Sequence, residues 1–274
     1  MELVRPESVS DAVGSLGNGA VALGGGTDLV PLLRDRIVTA DTLVELRRAV
    51  PKGVQGTIIG AGTTLGELEV DPEIPDALRE ACRLSASPQL RAAGTIGGNL
   101  LQATRCWYWR LKFPCRLHGG ERCHAREGKH REHAIFANDF CASAHPSDPA
   151  AALLALGARV RTDRRELPLA ELYRLPTKDD RSTTTLAKDE LIVELDVPRP
   201  DASVYLKAMD RQRWSFALVG VAAARFGTET RFGVAGVAPI PWPSIDGATP
   251  LPETTYKVRI LDALVRRARQ AVAA

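Results

Sequence analysis

Leu23-Gly24-Gly25-Gly26-Thr27-Asp28-Leu29 sits between a predicted strand, Ala20 to Leu23, and a predicted helix, Leu29 to Ile37. Three glycines at such a junction let the backbone approach an anion closely, and the free N–H groups and dipole at the helix start favour negative charge. That is a phosphate site in outline, although an ordinary tight strand-to-helix turn uses the same residues. Thr42 to Leu46 reads as the next strand, completing a small βαβ-like unit.

A nicotinamide-binding Rossmann unit is the first rival, because Glu45 ends the next strand where an acid would meet a ribose. The glycine spacing opposes it. Gly24-x-Gly26 needs a third glycine at position 29, which is Leu29, and the helix is short for that unit. A second turn, Gly94-Thr95-Ile96-Gly97-Gly98-Asn99, suggests instead that loops of two subdomains grip one diphosphate from two sides.

Beyond the first unit the pattern predicts a strand at 57–61, helices at 65–69 and 76–87, a helical continuation from Leu100 to Ala103, and a helix at 148–156. Ser147-Asp148-Pro149 opens that last helix, with Ser147 as N-cap and proline in the first turn. From Arg159 the texture turns β-rich, with strands at 158–162, 191–197, 203–208, 216–225 and 231–238, and a basic helix at 258–272. Prolines at 168, 176, 198 and 200 punctuate the join, and a domain boundary is expected at 165–175.

Composition excludes several classes. With 45% hydrophobic and 25% charged residues in 274, disorder and collagen-like repeats are out. No run of eighteen apolar residues exists, and Met1-Glu2-Leu3-Val4-Arg5-Pro6 lacks a secretory pattern, so the expectation is a chain without a membrane span that is cytoplasmic, or periplasmic only if exported with a partner. A formal charge of +3 is too small to argue for nucleic acid. It is also unevenly spread: between Arg105 and Glu132 lie eight Lys or Arg against three Glu.

The cysteines are as uneven. Cys106, Cys115, Cys123 and Cys141 fall within the same region as all five histidines, His118, His124, His130, His133 and His145, whereas Cys82 belongs to an apolar pattern and reads as core. Clustered thiols in a reducing compartment point first to metal. Spacings of 9, 8 and 18 match no common ferredoxin run, and structural zinc favours cysteine pairs two to four residues apart. On spacing alone an iron–sulfur site, a zinc site and unliganded thiols all stay open. The histidines, on a basic surface loop, read as solvated or satisfied by neighbours, and none is assigned to catalysis.

Taken in order, Leu23 to Leu29, Gly94 to Leu100 and His145-Pro146-Ser147-Asp148 followed by an Ala/Leu helix resemble the three signatures of the FAD-binding subunits of molybdopterin dehydrogenases, the xanthine dehydrogenase family. The resemblance implies an α+β chain. Residues 1–170 would form a two-part FAD-binding fold of the vanillyl-alcohol-oxidase type, split at about residue 53. Residues 171–274 would form a smaller α/β domain like that of carbon monoxide dehydrogenase flavoproteins, shortened after Trp242-Pro243. By motif match, Gly24, Gly25, Gly26, Thr27 and Asp28 with Thr95, Gly97, Gly98 and Asn99 would hold the FAD diphosphate. Asp148 would lie near the ribityl or diphosphate region, Ile192 would pack near the flavin, and Lys207 is a further candidate.

Residues 104–145, inserted where most of the family has a short turn, look like the cluster loop of the subgroup containing 4-hydroxybenzoyl-CoA reductase and certain bacterial aldehyde oxidoreductases. There, Cys106, Cys115, Cys123 and Cys141 would hold one [4Fe–4S] cluster. The same resemblance implies a molybdopterin-binding large subunit and a [2Fe–2S] small subunit as partners, an external electron acceptor, and no catalytic residue on this chain. The rival from another class is a zinc-stapled binding or scaffold protein whose glycine turns hold no cofactor.

Overall fold

The computed structural model describes residues 1–17 and 19–273. Its first unit is a three-stranded parallel sheet in which Thr42–Glu45 lies between Glu2–Val4 and Ala20–Leu23. The expected strand–helix–strand unit is present, and the helix Leu29–Arg34 connects its two predicted strands. Glu2–Val4 was not predicted; three residues are too few for a period-2 pattern to show.

The second unit is built on an antiparallel sheet of five strands, in the order Val54–Gln55, Ile58–Gly60, Ile192–Asp196, Arg159–Thr162 and Glu166–Pro168. Ile192–Asp196 occupies the middle, so the boundary expected at 165–175 cuts through a hydrogen-bonded sheet whose last strand ends only at Asp196. The prolines that suggested the earlier break mark edges and turns of this sheet, whereas the pairing of Ile59 with Leu195 is non-local and leaves no local signal.

Helices cover the sheet, several of them opened by a readable cap. Thr64 and Glu67 form a reciprocal capping box, and Ser87 caps Pro88–Ala93. Ser147 accepts from the Ala150 N–H at 3.0 Å and opens Asp148–Leu156 as expected. The helix expected to begin at Leu100 instead runs from Ile96 to Leu100, because the Thr95 hydroxyl accepts the Gly98 N–H and caps the helix inside the glycine motif.

The third unit is an antiparallel sheet, Ala202–Met209, Ala217–Phe226 and Glu229–Ala235, with the long helix Thr255–Ala273 against it. Asp148–Leu156 is nearly all buried between this sheet and the second unit. The approach is so close at Gly233 that any Cβ there would strike the Ala151 carbonyl.

Candidate functional site

The two glycine turns lie against each other. A Cβ on Gly24 would sit 2.9 Å from the Thr95 hydroxyl, one on Gly94 would sit 3.3 Å from the Thr27 hydroxyl, and one on Gly25 would overlap the Ala93 carbonyl. Neither turn tolerates a side chain where they meet. Their amides are used differently. Among the described residues, the N–H groups of Gly25, Gly26 and Thr27 donate to no protein acceptor, leaving three donors beside the start of a helix. In the second turn Gly97 donates to the Ala61 carbonyl at 3.0 Å, Gly98 to Thr95 Oγ1 at 3.2 Å and Asn99 to the Thr95 carbonyl at 2.8 Å. The first turn thus offers an anion its backbone, whereas the glycines of the second permit close packing.

Asp28, the last residue of the first motif, reaches the cysteine insert. Its carboxylate accepts from Arg110 at 2.9 Å and the Ala103 N–H at 2.8 Å, and pairs with Arg105 at 3.0 Å. Cys106 lies between those two arginines in sequence and precedes the short helix Trp107–Arg110.

Cys106, Cys115, Cys123 and Cys141 all line one cavity, with Tyr108, Trp109, Arg116, Leu117, His124, Ala125 and Ser143. The last three cysteines are buried and Cys106 is half-buried. Burial pushes the Cys106 thiol up to about 11. The Cys141 thiol donates to Ser143 Oγ at 3.3 Å, and the proximity of Cys123 and Cys141 lowers the first and raises the second. Among the described residues no three His, Cys, Asp or Glu side chains form a group set to hold a single ion. The donor set is nevertheless four thiols on one enclosure, walled by aromatic rings and braced by Arg116, which bonds to the carbonyls of Asp139 (3.0 Å) and Phe140 (2.8 Å).

His130 is satisfied by neighbours, its ring bonding to the carbonyls of Ala125 and Gly128, as that reading allowed; what differs from a surface loop is that His130, His133 and His145 are buried. The reason is that the insert is part of the third unit's core rather than a surface excursion. Ile135 and Phe136 pack with Val219, Val234 and Val237, and their amides donate to the Val237 carbonyl at 2.7 and 2.9 Å. Burial, with the charges of Lys257 and His130, holds His133 down to about 4, and burial outweighs a hydrogen bond to the Leu100 backbone to leave His145 near 3.

Asp148 and Lys207 meet. The Lys207 ammonium donates to Asp148 at 2.7 Å and to the Leu84 carbonyl at 2.9 Å, while Tyr205 donates to the other carboxylate oxygen and Ser85 bonds at 3.2 Å. Their side chains are 3% and 1% exposed, so this is a fully desolvated pair joining the second and third units. Ile192 is buried in the core of the second sheet. Sequence reasoning missed the Asp28 link to Arg105 and Arg110, and it missed Lys257. Lys257 is wholly buried in the terminal helix and donates to the carbonyls of Glu132 (2.8 Å) and Gly236 (2.9 Å). Burial lowers it to about 7. A basic residue on a helix otherwise rich in arginine gives no signal that it points inward.

Comparison with known proteins bears directly on this arrangement. Residues 1–200 match the family described as the FAD binding domain in molybdopterin dehydrogenase. The chain is 34% identical over 244 residues to the FAD-binding subunit of an Escherichia coli aldehyde oxidoreductase, an alignment covering 82% of this chain and 76% of that one. It is 40% identical over 107 residues to the carbon monoxide dehydrogenase medium chain of Afipia carboxidovorans, over 35% of this chain and 37% of the relative. In fold it resembles a chain of the Hydrogenophaga pseudoflava carbon monoxide dehydrogenase, with a TM-score of 0.70 at 22% identity over 99% of this chain and 96% of that one. It also resembles a chain of quinoline 2-oxidoreductase from Pseudomonas putida, with a TM-score of 0.69 at 17% identity over 100% and 97%.

Proposed function

The chain belongs to the family of FAD binding domains in molybdopterin dehydrogenases, and from that premise we propose that it is the electron-relay subunit of an oxidoreductase complex whose substrate is oxidised elsewhere. Its partners are a molybdopterin-binding large subunit and a [2Fe–2S] small subunit, and it delivers electrons to an external acceptor. When bound, FAD and a [4Fe–4S] cluster supply the one- and two-electron chemistry that protein side chains lack.

The observation that carries the reading is the run of uncommitted amides at Gly25, Gly26 and Thr27, set against the Thr95 turn. These donors, with the hydroxyls of Thr27 and Thr95 and the side chain of Asn99, bind the diphosphate. Gly24, Gly97 and Gly98 let the two backbones close around it. Asp28 orients the first turn through its arginine contacts. Asp148, Lys207 and Ile192 would form the wall behind it, where the third unit is fastened to the second. The cluster is held by Cys106, Cys115, Cys123 and Cys141; their support is the shared cavity and the likeness of the insert to the cluster-bearing subgroup. A zinc ion would need the same four sulfurs at about 2.3 Å from one point. The relative's substrate class makes aldehydes the first to assay, with N-heteroaromatics next.

An absorbance spectrum with iron, sulfide and zinc analysis of the purified complex tests both cofactors. Flavin bands over a broad iron–sulfur shoulder are expected, and Cys123→Ser abolishes the shoulder. A colourless protein containing zinc overturns the reading. Among the described residues no helix is long and apolar enough to cross a membrane.

A further inference from the structure

His133 stands at the edge of the cysteine cavity with its Nε2 3.2 Å from Cys106 Sγ. The residue is 2% exposed, and its other ring nitrogen, Nδ1, is buried without a partner among the described residues. Trp107 packs edge-on against the ring at 4.6 Å between centroids, which fixes its orientation. Burial favours the neutral imidazole, so one nitrogen carries hydrogen. Were it Nδ1, a buried N–H donor would be orphaned, the rarer and costlier situation. With the hydrogen on Nε2, only a lone pair goes unmet and the N–H is aimed at sulfur. A protonated thiol is a poor acceptor for it, whereas a metal-bound thiolate has no hydrogen of its own and accepts readily.

We infer that His133 donates an Nε2–H···S hydrogen bond to the Cys106 thiolate and thereby sets the reduction potential of the cluster, an inference that rests on the cluster reading proposed above. Reduction adds one electron and increases the negative charge on the ligand sulfurs. A fixed donor stabilises the reduced form more than the oxidised form and raises the potential. His133 acts through Cys106 and is a positioning residue, not a catalytic one.

The test is a redox titration of the intact complex, followed by the electron paramagnetic resonance of the reduced cluster. His133→Leu, with iron and sulfide content unchanged, lowers the midpoint by about 59 mV, a tenfold change in a one-electron equilibrium. His133→Gln, whose amide N–H reaches the same place, restores most of that shift. In the wild-type complex labelled with 15N-histidine, one imidazole nitrogen shows hyperfine coupling to the reduced cluster. An unchanged midpoint in a fully loaded Leu variant overturns the inference, as does absence of the coupling in wild type. Should the Leu variant fail to take up iron, the wild-type coupling decides alone. A wild-type protein without iron and sulfide instead removes the cluster reading itself, and this inference falls with it.

Discussion

The Arg110 guanidinium donates to the Asp28 carboxylate at 2.9 Å across 82 positions of chain, tying the first glycine turn to the first turn of the cysteine insert. The two proposed cofactor sites are therefore joined through Asp28. Arg105 meets the same carboxylate, so Asp28 is held by two cations and a backbone amide in a half-buried setting. Asp28→Asn weakens both ion pairs at once and is expected to cost about ten- to a hundredfold in flavin affinity, from a charge-assisted bond contributing about 1.5–3 kcal/mol. Arg110→Gln leaves Arg105 in place and costs less. Flavin retained per chain after gel filtration, with fluorescence titration of the apoprotein, measures both; equal retention in all three proteins would sink the idea.

Gly25→Ala puts a methyl group into the Ala93 carbonyl. Backbone must move to admit it, so the two turns separate. The expected outcome is loss of flavin with an unchanged far-ultraviolet circular dichroism spectrum. Gly14→Ala is the control, since nothing lies near its Cβ and alanine suits the end of its helix.

Asp148→Asn leaves the Lys207 ammonium buried without its counter-charge. Breaking a desolvated pair in this way costs about 3–5 kcal/mol, whereas replacing both partners by apolar residues of similar size costs far less. Asp148→Leu with Lys207→Met should therefore be more stable than Asp148→Asn in urea denaturation. A double variant that is as unstable as the single one would mean that Tyr205 and Ser85, not Lys207, depend on the carboxylate.

Lys257 gives stability a pH dependence of known sign. Its folded value lies near 7, below the ordinary lysine range, so between those limits the unfolded chain binds more protons than the folded one. Stability contributed at this position is lowest below pH 7 and rises with pH above it, by at most about 1.4 kcal/mol per pH unit. Relative to Lys257→Met, the wild-type protein gains stability from pH 7 to pH 9. Parallel denaturation curves for the pair across that range would refute the assignment.

Much of the local structure was legible in the residues. Ser147 and Pro149 announced a helix that runs from Asp148 to Leu156, and alternation located the long strands of the third unit to within two or three residues. Caps, turns and period-2 patterns act over a few residues and leave their mark in sequence. The middle strand Ile192–Asp196 was also found, but its sheet was not, because partners at 58–60 and 159–162 are chosen by burial rather than by neighbours in the chain.

The candidate site divides in the same way. The glycine motifs and the four cysteines could be named from the amino acids, since an anion loop needs missing side chains and a thiol site needs sulfur. Folding alone settled the rest. It turned Asp28 toward two arginines of the insert, matched Asp148 to Lys207 out of water, and pulled His130, His133 and Lys257 inside. A charged or imidazole side chain carries the same letter whether solvated or buried. Its partner, and hence its chemistry, exists only once distant segments have excluded water between them.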